Sequence, residues 1–266
     1  MSRRQPPGGQ APVVQRVRVR YAKRGPLRFT SHRDVARALE RALRRARVPV
    51  AYSQGFTPHP RISYASAAPT GVASEAEYLE LGLQAPMPPA MLVGALDAAL
   101  SPGLDVLDAV TAAPGSGSLA DRMEASRWRI ELPGVEPAEL RRAVAAFTAI
   151  DQVLVERLTK QGRRTLDTRP AVYELRVAGP VEGGAGAART APSGVTDAPC
   201  AILECVVRQV TPSVRPDDVL SGLRVAAGLE PPVPARATRL AQGPLSAQGE
   251  IVDPLEADRG GMPAGE

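Results

Sequence analysis

Two cysteines, two histidines, two lysines and nine aromatic rings are all that the 266 residues hold of those types. Each scarcity removes a class of chemistry. Cys200 and Cys205 stand five residues apart on an expected strand, so they face opposite sides and do not pair. There is no CxxxCxxC run to hold a [4Fe–4S] cluster. Two histidines and two distant cysteines make no metal-ligand spacing, so neither metal nor cofactor is expected. No Gly-rich phosphate loop and no Ser–His–Asp order stands out. No apolar run reaches the ~18 residues of a membrane span. The opening "MSRRQPPGGQAPVV" lacks the apolar core of a secretory signal, so cytoplasm is the expected compartment. With aromatics at 3% and apolar residues at 44%, any core must be built from Val, Leu, Ile and Ala.

Arginine is what the chain has in abundance, and it is unevenly spread. Residues 16–61 carry thirteen cations against Asp34 and Glu40, a local charge of +11 that leaves −6 for the rest. A concentrated basic segment points to a polyanionic partner more than to general solubility. "RVRVRYA" alternates Val17, Val19 and Tyr21 with Arg16, Arg18 and Arg20, a strand with one apolar and one basic face. Ser31 and Asp34 form an S-x-x-D helix start. The helix that follows places Val35, Ala38, Leu39, Ala42, Leu43 and Ala46 on one stripe and Arg33, Arg37, Arg41, Arg44 and Arg45 opposite.

The remaining segments complete a β-α-β-β-α-β order that occurs twice. The first half continues through "RISYA", "EAEYLELGL", a helix from Pro88–Pro89 bearing Met91, Leu92, Ala95, Leu96 and Ala99, and "LDVLDAV". The second runs from the Trp128, Ile130, Leu132 strand through a helix with Leu140, Val144 and Phe147 to a hairpin-like "KQGRRTLDTRP". "AVYELRV", "AILECVVRQV", a helix after Pro216 and "ARATRLA" close it. Both halves carry Gln-Gly at the same point, Gln54-Gly55 and Gln161-Gly162. The expectation is an α+β chain of two tandem ferredoxin-like domains, 16–111 and 123–242, with a linker at 112–122. Residues 1–15 and 243–266, rich in Pro, Gly, Ala and Gln, are expected to be disordered tails, and 179–199 a flexible loop.

Phosphate contacts are expected from Arg16, Arg18, Arg20, Lys23, Arg37, Arg41 and Arg44. Five of the nine rings (Tyr21, Phe29, Tyr52, Phe56 and Tyr64) lie among these cations, a mixture suited to single-stranded RNA. In "SQGFTPHPRISYA", Thr57 and His59 each precede proline and are pushed toward extended backbone. The segment reads as a stiff arm presenting Phe56, His59 and Arg61. His32 and His59 together could run acid–base cleavage of RNA.

The motifs Tyr21-x-Lys23-x-Gly25, Phe29-x-Ser31-His32-x-Asp34 and Gly55-Phe56-x-Pro58-His59-Pro60 resemble the signature of the radical SAM-linked (radical SAM-associated) protein family. Gly71, Ser74 and Glu75 extend the likeness, and "TKQGRRTLDTRP" is similar to the family's second-half Lys-x-Gly…Asp-x-Arg segment. The resemblance covers roughly residues 16–240 and implies a domain of unassigned function that partners a radical SAM enzyme, here a separate protein acting in trans. Together the readings lead to a non-enzymatic RNA-binding accessory protein. It would present an RNA or ribosomal substrate to that enzyme or to an RNA-processing machine. A metal-independent endoribonuclease using His32 and His59, and a module docking an acidic protein, are the alternatives.

Overall fold

The computed structural model describes residues 12–54, 57–159, 162–179 and 199–259. Along the chain come β1 (Gln15–Lys23), α1 (His32–Arg45), β2 (Ile62–Ala65), β3 (Ala73–Leu83), α2 (Pro89–Asp97) and β4 (Leu104–Thr111). There follow β5 (Ala125–Pro133), α3 (Pro137–Thr148), β6 (Leu154–Thr159), β7 (Gly162–Asp167), β8 (Val172–Ala178), β9 (Cys200–Arg208), α4 (Pro216–Ala227), β10 (Arg236–Gly243) and α5 (Glu256–Arg259). The chain is α+β and divides into two compact units, 1–123 with 252–266, and 124–251. No helix among the described residues is long and apolar enough to cross a membrane.

In the first unit the strand order is β4-β1-β3-β2, with antiparallel neighbours. Val17, Val19 and Tyr21 of β1, Leu79 and Leu81 of β3, Val35, Leu39, Ala42 and Leu43 of α1, and Leu92 and Leu96 of α2 make one buried cluster. Both helices therefore cover the same face of the sheet. Ser31 caps α1: its hydroxyl oxygen accepts from the Asp34 N–H at 3.3 Å and its O–H donates to the Asp34 carboxylate at 2.6 Å. Met91, expected on the core side of α2, is instead 63% exposed. This nine-residue helix packs through Leu92 and Leu96, and Met91 falls on the outer side.

The opposite sheet face is not open. Ala76 and Tyr78 of β3 form a second cluster there with Leu119, Met123 and Leu255. The expectation of a disordered tail from residue 243 is corrected for the described part, because Leu255 is fully buried and Asp258 nearly so. The segment read as a linker, 112–122, supplies Leu119 to that cluster. A Pro-, Gly- and Ala-rich composition hides the few residues that anchor these stretches. The expected disorder of 1–15 falls outside the described residues up to 11, and that of 179–199 from 180 to 198.

In the second unit the strand order is β10-β5-β9-β8, again antiparallel. Trp128, Ile130 and Leu132 turn inward with Leu140, Phe147, Leu203, Val219 and Leu223. Gly222 lets α4 approach α3 closely: a Cβ there would meet the Phe147 ring at 2.7 Å. Cys205 is buried and Cys200 exposed, and both are free thiols. Burial pushes the Cys205 thiol up to about 12, so it is a packing residue and not a nucleophile. β6 and β7 pair with each other as a separate two-stranded sheet.

Candidate nucleic-acid interface

The arginines of β1 are largely spent inside the first unit. Arg18 lies directly across from Glu80 on β3 and donates to it through Nε at 3.0 Å. Its Nη1 donates to both carboxylate oxygens of Asp258, at 2.9 and 2.7 Å. Asp258 also accepts from Arg122 at 2.6 Å and from the Ala113 N–H at 3.0 Å. Burial alone would raise this carboxyl, but the Arg122 guanidinium, the Ala113 amide and Arg18 outweigh it and hold it at about 2. Arg16 donates to Glu80 at 2.8 Å, and Arg20 to the Glu75 carbonyl at 2.9 Å. Lys23 is buried, its ammonium donating to the Pro69 carbonyl at 3.1 Å.

Two expected phosphate contacts are thereby corrected. Arg18 is 2% exposed and Lys23 3%, so neither reaches solvent. For Arg18 the cause is the cover on that sheet face by residues 252–259 and the 113–122 stretch. For Lys23 it is the loop before β3, whose Ala68 and Pro69 carbonyls accept from the ammonium. Arg20 is half-buried, and Arg16 is exposed but tied to Glu80. The strand periodicity was legible, but the partners were not. Glu80, Arg122 and Asp258 carry no local motif, although Glu75, Glu77 and Glu80 on one strand do announce a carboxylate-bearing neighbour for a basic strand.

The arginines of α1 are disposed differently. Arg33, Arg37, Arg41, Arg44 and Arg45 are all exposed. Residues 33, 37 and 41 recur every four positions, a rise of about 6 Å along the helix each time. Among the described residues, the carboxylate within 4 Å of these guanidiniums is Asp34, 3.6 Å from Arg37, with both groups mostly in solvent. Such a pair is worth about 0.5 kcal/mol and yields easily to a competing anion.

The chain next to α1 folds into a narrow arm. Arg61 donates its N–H to the Ala51 carbonyl at 2.8 Å, Ser53 donates to the His59 carbonyl at 2.8 Å, and the His59 N–H returns to Ser53 Oγ at 3.0 Å. Tyr52 stands opposite Pro60. Missing donors at Pro58 and Pro60 leave the arm held by these few bonds, and its outer residues Thr57, Pro58, His59 and Arg61 are exposed. Gly55 and Phe56 lie outside the described residues. The arm leans on the later turns of α1, enclosing a cavity of about 120 Å³ between Glu40, Leu43 and Arg44 on one side and Tyr52, Pro58 and His59 on the other. Arg44 and His59 both line this cavity.

His32 is at the other end of α1, its ring edge-on to Tyr64 at 4.8 Å. The Tyr64 hydroxyl is buried without a partner among the described residues, and burial, with Glu40 adding to it, raises its pKa well above the usual phenol range. About 12 Å of helix axis separates residue 32 from residue 40, where the cavity holding His59 begins. Among the described residues, no ring contact or hydrogen bond links the two histidines. Of the clustered rings, Tyr21 is core, Tyr52 and Tyr64 are half-buried, and Phe29 is 61% exposed with Arg28 over its face at 4.6 Å. Several family-motif positions have structural work: Gly25 takes φ +53° at a 3-10 turn, and Ser31 with Asp34 starts α1. Asp167 of the second half accepts from the Val153 and Arg169 N–H groups and so closes the base of the β6–β7 hairpin. Among the described residues no cluster of three His, Cys, Asp or Glu could hold a metal ion.

The family described as an uncharacterized protein conserved in bacteria (DUF2344) matches residues 16–216, and the chain belongs to it. No curated protein matches the sequence.

Proposed function

We propose that this member of DUF2344 is a non-enzymatic RNA-binding accessory protein whose phosphate-gripping surface is the outer face of α1 with the 51–61 arm beside it. The observation that carries the reading is the row of five exposed arginines on α1, joined at its later turns by His59. Guanidinium groups without tight carboxylate partners exchange their counterions for phosphates at little cost, and this is the main source of affinity for RNA. The arm adds the His59 imidazole at low entropic cost, because the bonds at Ser53 and Ala51 already fix its backbone, whereas Arg61 lies beside Arg16 and Glu80. Each unit is read as a ferredoxin-like domain, supported by its β-α-β-β-α-β order and 4-1-3-2 strand arrangement, with a hairpin added in the second. The role follows from the resemblance to radical SAM-linked proteins: presenting an RNA or ribosomal substrate to a separate radical SAM enzyme or to an RNA-processing machine.

Purified protein incubated with labelled RNA in EDTA tests the reading. A retarded complex with intact RNA is the expected result. Cleavage products that vanish on His32→Ala or His59→Ala would replace it with the endoribonuclease reading. No complex at low salt would overturn it.

A further inference from the structure

The β6–β7 hairpin has features that packing does not require. Its base is fixed: Val155 and Leu166, opposite each other, are buried, and Arg157 donates to Asp218 at 2.8 Å. Beyond the base the ribbon is in solvent. Leu158 is 81% exposed, and the side chain of Arg163, its cross-strand neighbour, is 79% exposed. Arg164 is exposed as well. The Arg163 guanidinium meets Glu156 at 3.1 Å, a solvated contact of at most about 1 kcal/mol that a phosphate can displace.

Its place in the fold is the second observation. In the first unit the 51–61 arm lies between α1 and β2. In the second, β6–β7 lies between α3 and β8, the corresponding connection. Both are antiparallel ribbons carrying Gln-Gly, and both have exposed arginine on the returning limb, Arg61 in one and Arg163 with Arg164 in the other.

We infer that the β6–β7 hairpin is a second RNA-contacting arm, with Arg163 and Arg164 holding phosphates and Leu158 packing on an unpaired base. The inference rests on the reading that this chain binds RNA. Arg163 stands beside the protruding Leu158 on one face of the ribbon and Arg164 on the other. This arrangement suits a nucleic acid better than a protein partner: the cations match the backbone, and the leucine serves as an apolar wedge against a base.

The test uses the full-length chain and a labelled single-stranded RNA oligonucleotide of mixed sequence, with affinity measured by fluorescence anisotropy at several salt concentrations. Arg163→Glu/Arg164→Glu is expected to weaken binding about tenfold or more and to reduce the salt slope by about 1.4, at ~0.7 per lost single-strand phosphate contact. Leu158→Ser is expected to weaken binding several-fold with the slope unchanged. If the wild type binds and both hairpin variants match it, the hairpin assignment is overturned and the α1 reading stands. If the hairpin variants lose affinity while an Arg37→Glu/Arg41→Glu/Arg44→Glu variant does not, the hairpin assignment stands and the α1 reading falls. Absence of binding by the wild type overturns both. Loss of a co-purifying protein from Leu158→Ser, with RNA affinity unchanged, also overturns the assignment.

Discussion

Two rows of arginine, one on β1 and one on α1, begin within twenty residues of each other and have opposite fates. On β1, Arg18 is enclosed by Glu80 and Asp258, and Arg16 shares Glu80. On α1, five guanidiniums face water with one weak ion pair among the described residues. The same side chain is a structural staple in the first case and an unspent charge in the second. Composition and local charge do not separate the two; the neighbouring strand and the returning C-terminal segment do.

The comparison is most severely tested at Asp258. Asp258→Ala leaves Arg18 buried without its main carboxylate and Arg122 short of one, at an expected cost of about 3–5 kcal/mol. Denaturant unfolding would measure it, and a cost below ~1 kcal/mol would mean that the staple is ornamental. Next in size, charge reversal of Arg37, Arg41 and Arg44 together is expected to weaken RNA binding by about a hundredfold, since three phosphate contacts become repulsions. The same variant should unfold within ~0.5 kcal/mol of the wild type, as exposed substitutions do. A large loss of stability there would dissolve the contrast.

Acid sharpens it further. Because the folded-state carboxyl of Asp258 sits below its ordinary value, its stabilisation is fully present above pH ~4 and is lost as pH falls toward about 2. The expected loss is roughly 2 kcal/mol, which Asp258→Asn should abolish in a pH series of unfolding curves. Ser31→Ala, which removes the cap that launches the exposed row, is expected to cost about 1 kcal/mol of stability. His59→Ala is the mildest: a few-fold loss of RNA affinity in anisotropy titrations, with the fold and the salt slope intact.

The sequence was informative wherever the determining contacts are local. Alternation in "RVRVRYA" placed Val17, Val19 and Tyr21 inward, and the S-x-x-D pattern located the start of α1. The stripe from Val35 to Leu43 identified the buried side of the helix, and with it the exposed arginines. What could not be read was the second face of the first sheet. Its occupant comes from 240 residues away, through Asp258 and Leu255 in a segment whose composition suggests no structure. Alternation shows that Arg18 leaves the apolar side; it cannot show that the other side is covered. The narrow ribbon of the arm was similarly hidden, because the bonds at Ser53 and Ala51 are backbone contacts with no side-chain signature, while the extended bias before Pro58 and Pro60 was plain.

The central claim is that phosphate is held by α1 and not by β1. The salt dependence of RNA affinity, compared between Arg37→Glu/Arg41→Glu/Arg44→Glu and Arg16→Glu, tests it most directly. The helix variant should lose about 2 units of log–log slope, at ~0.7 per contact, while the strand variant keeps the wild-type slope. Equal slopes in the helix variant and the wild type, or a larger loss from Arg16→Glu, would contradict the claim.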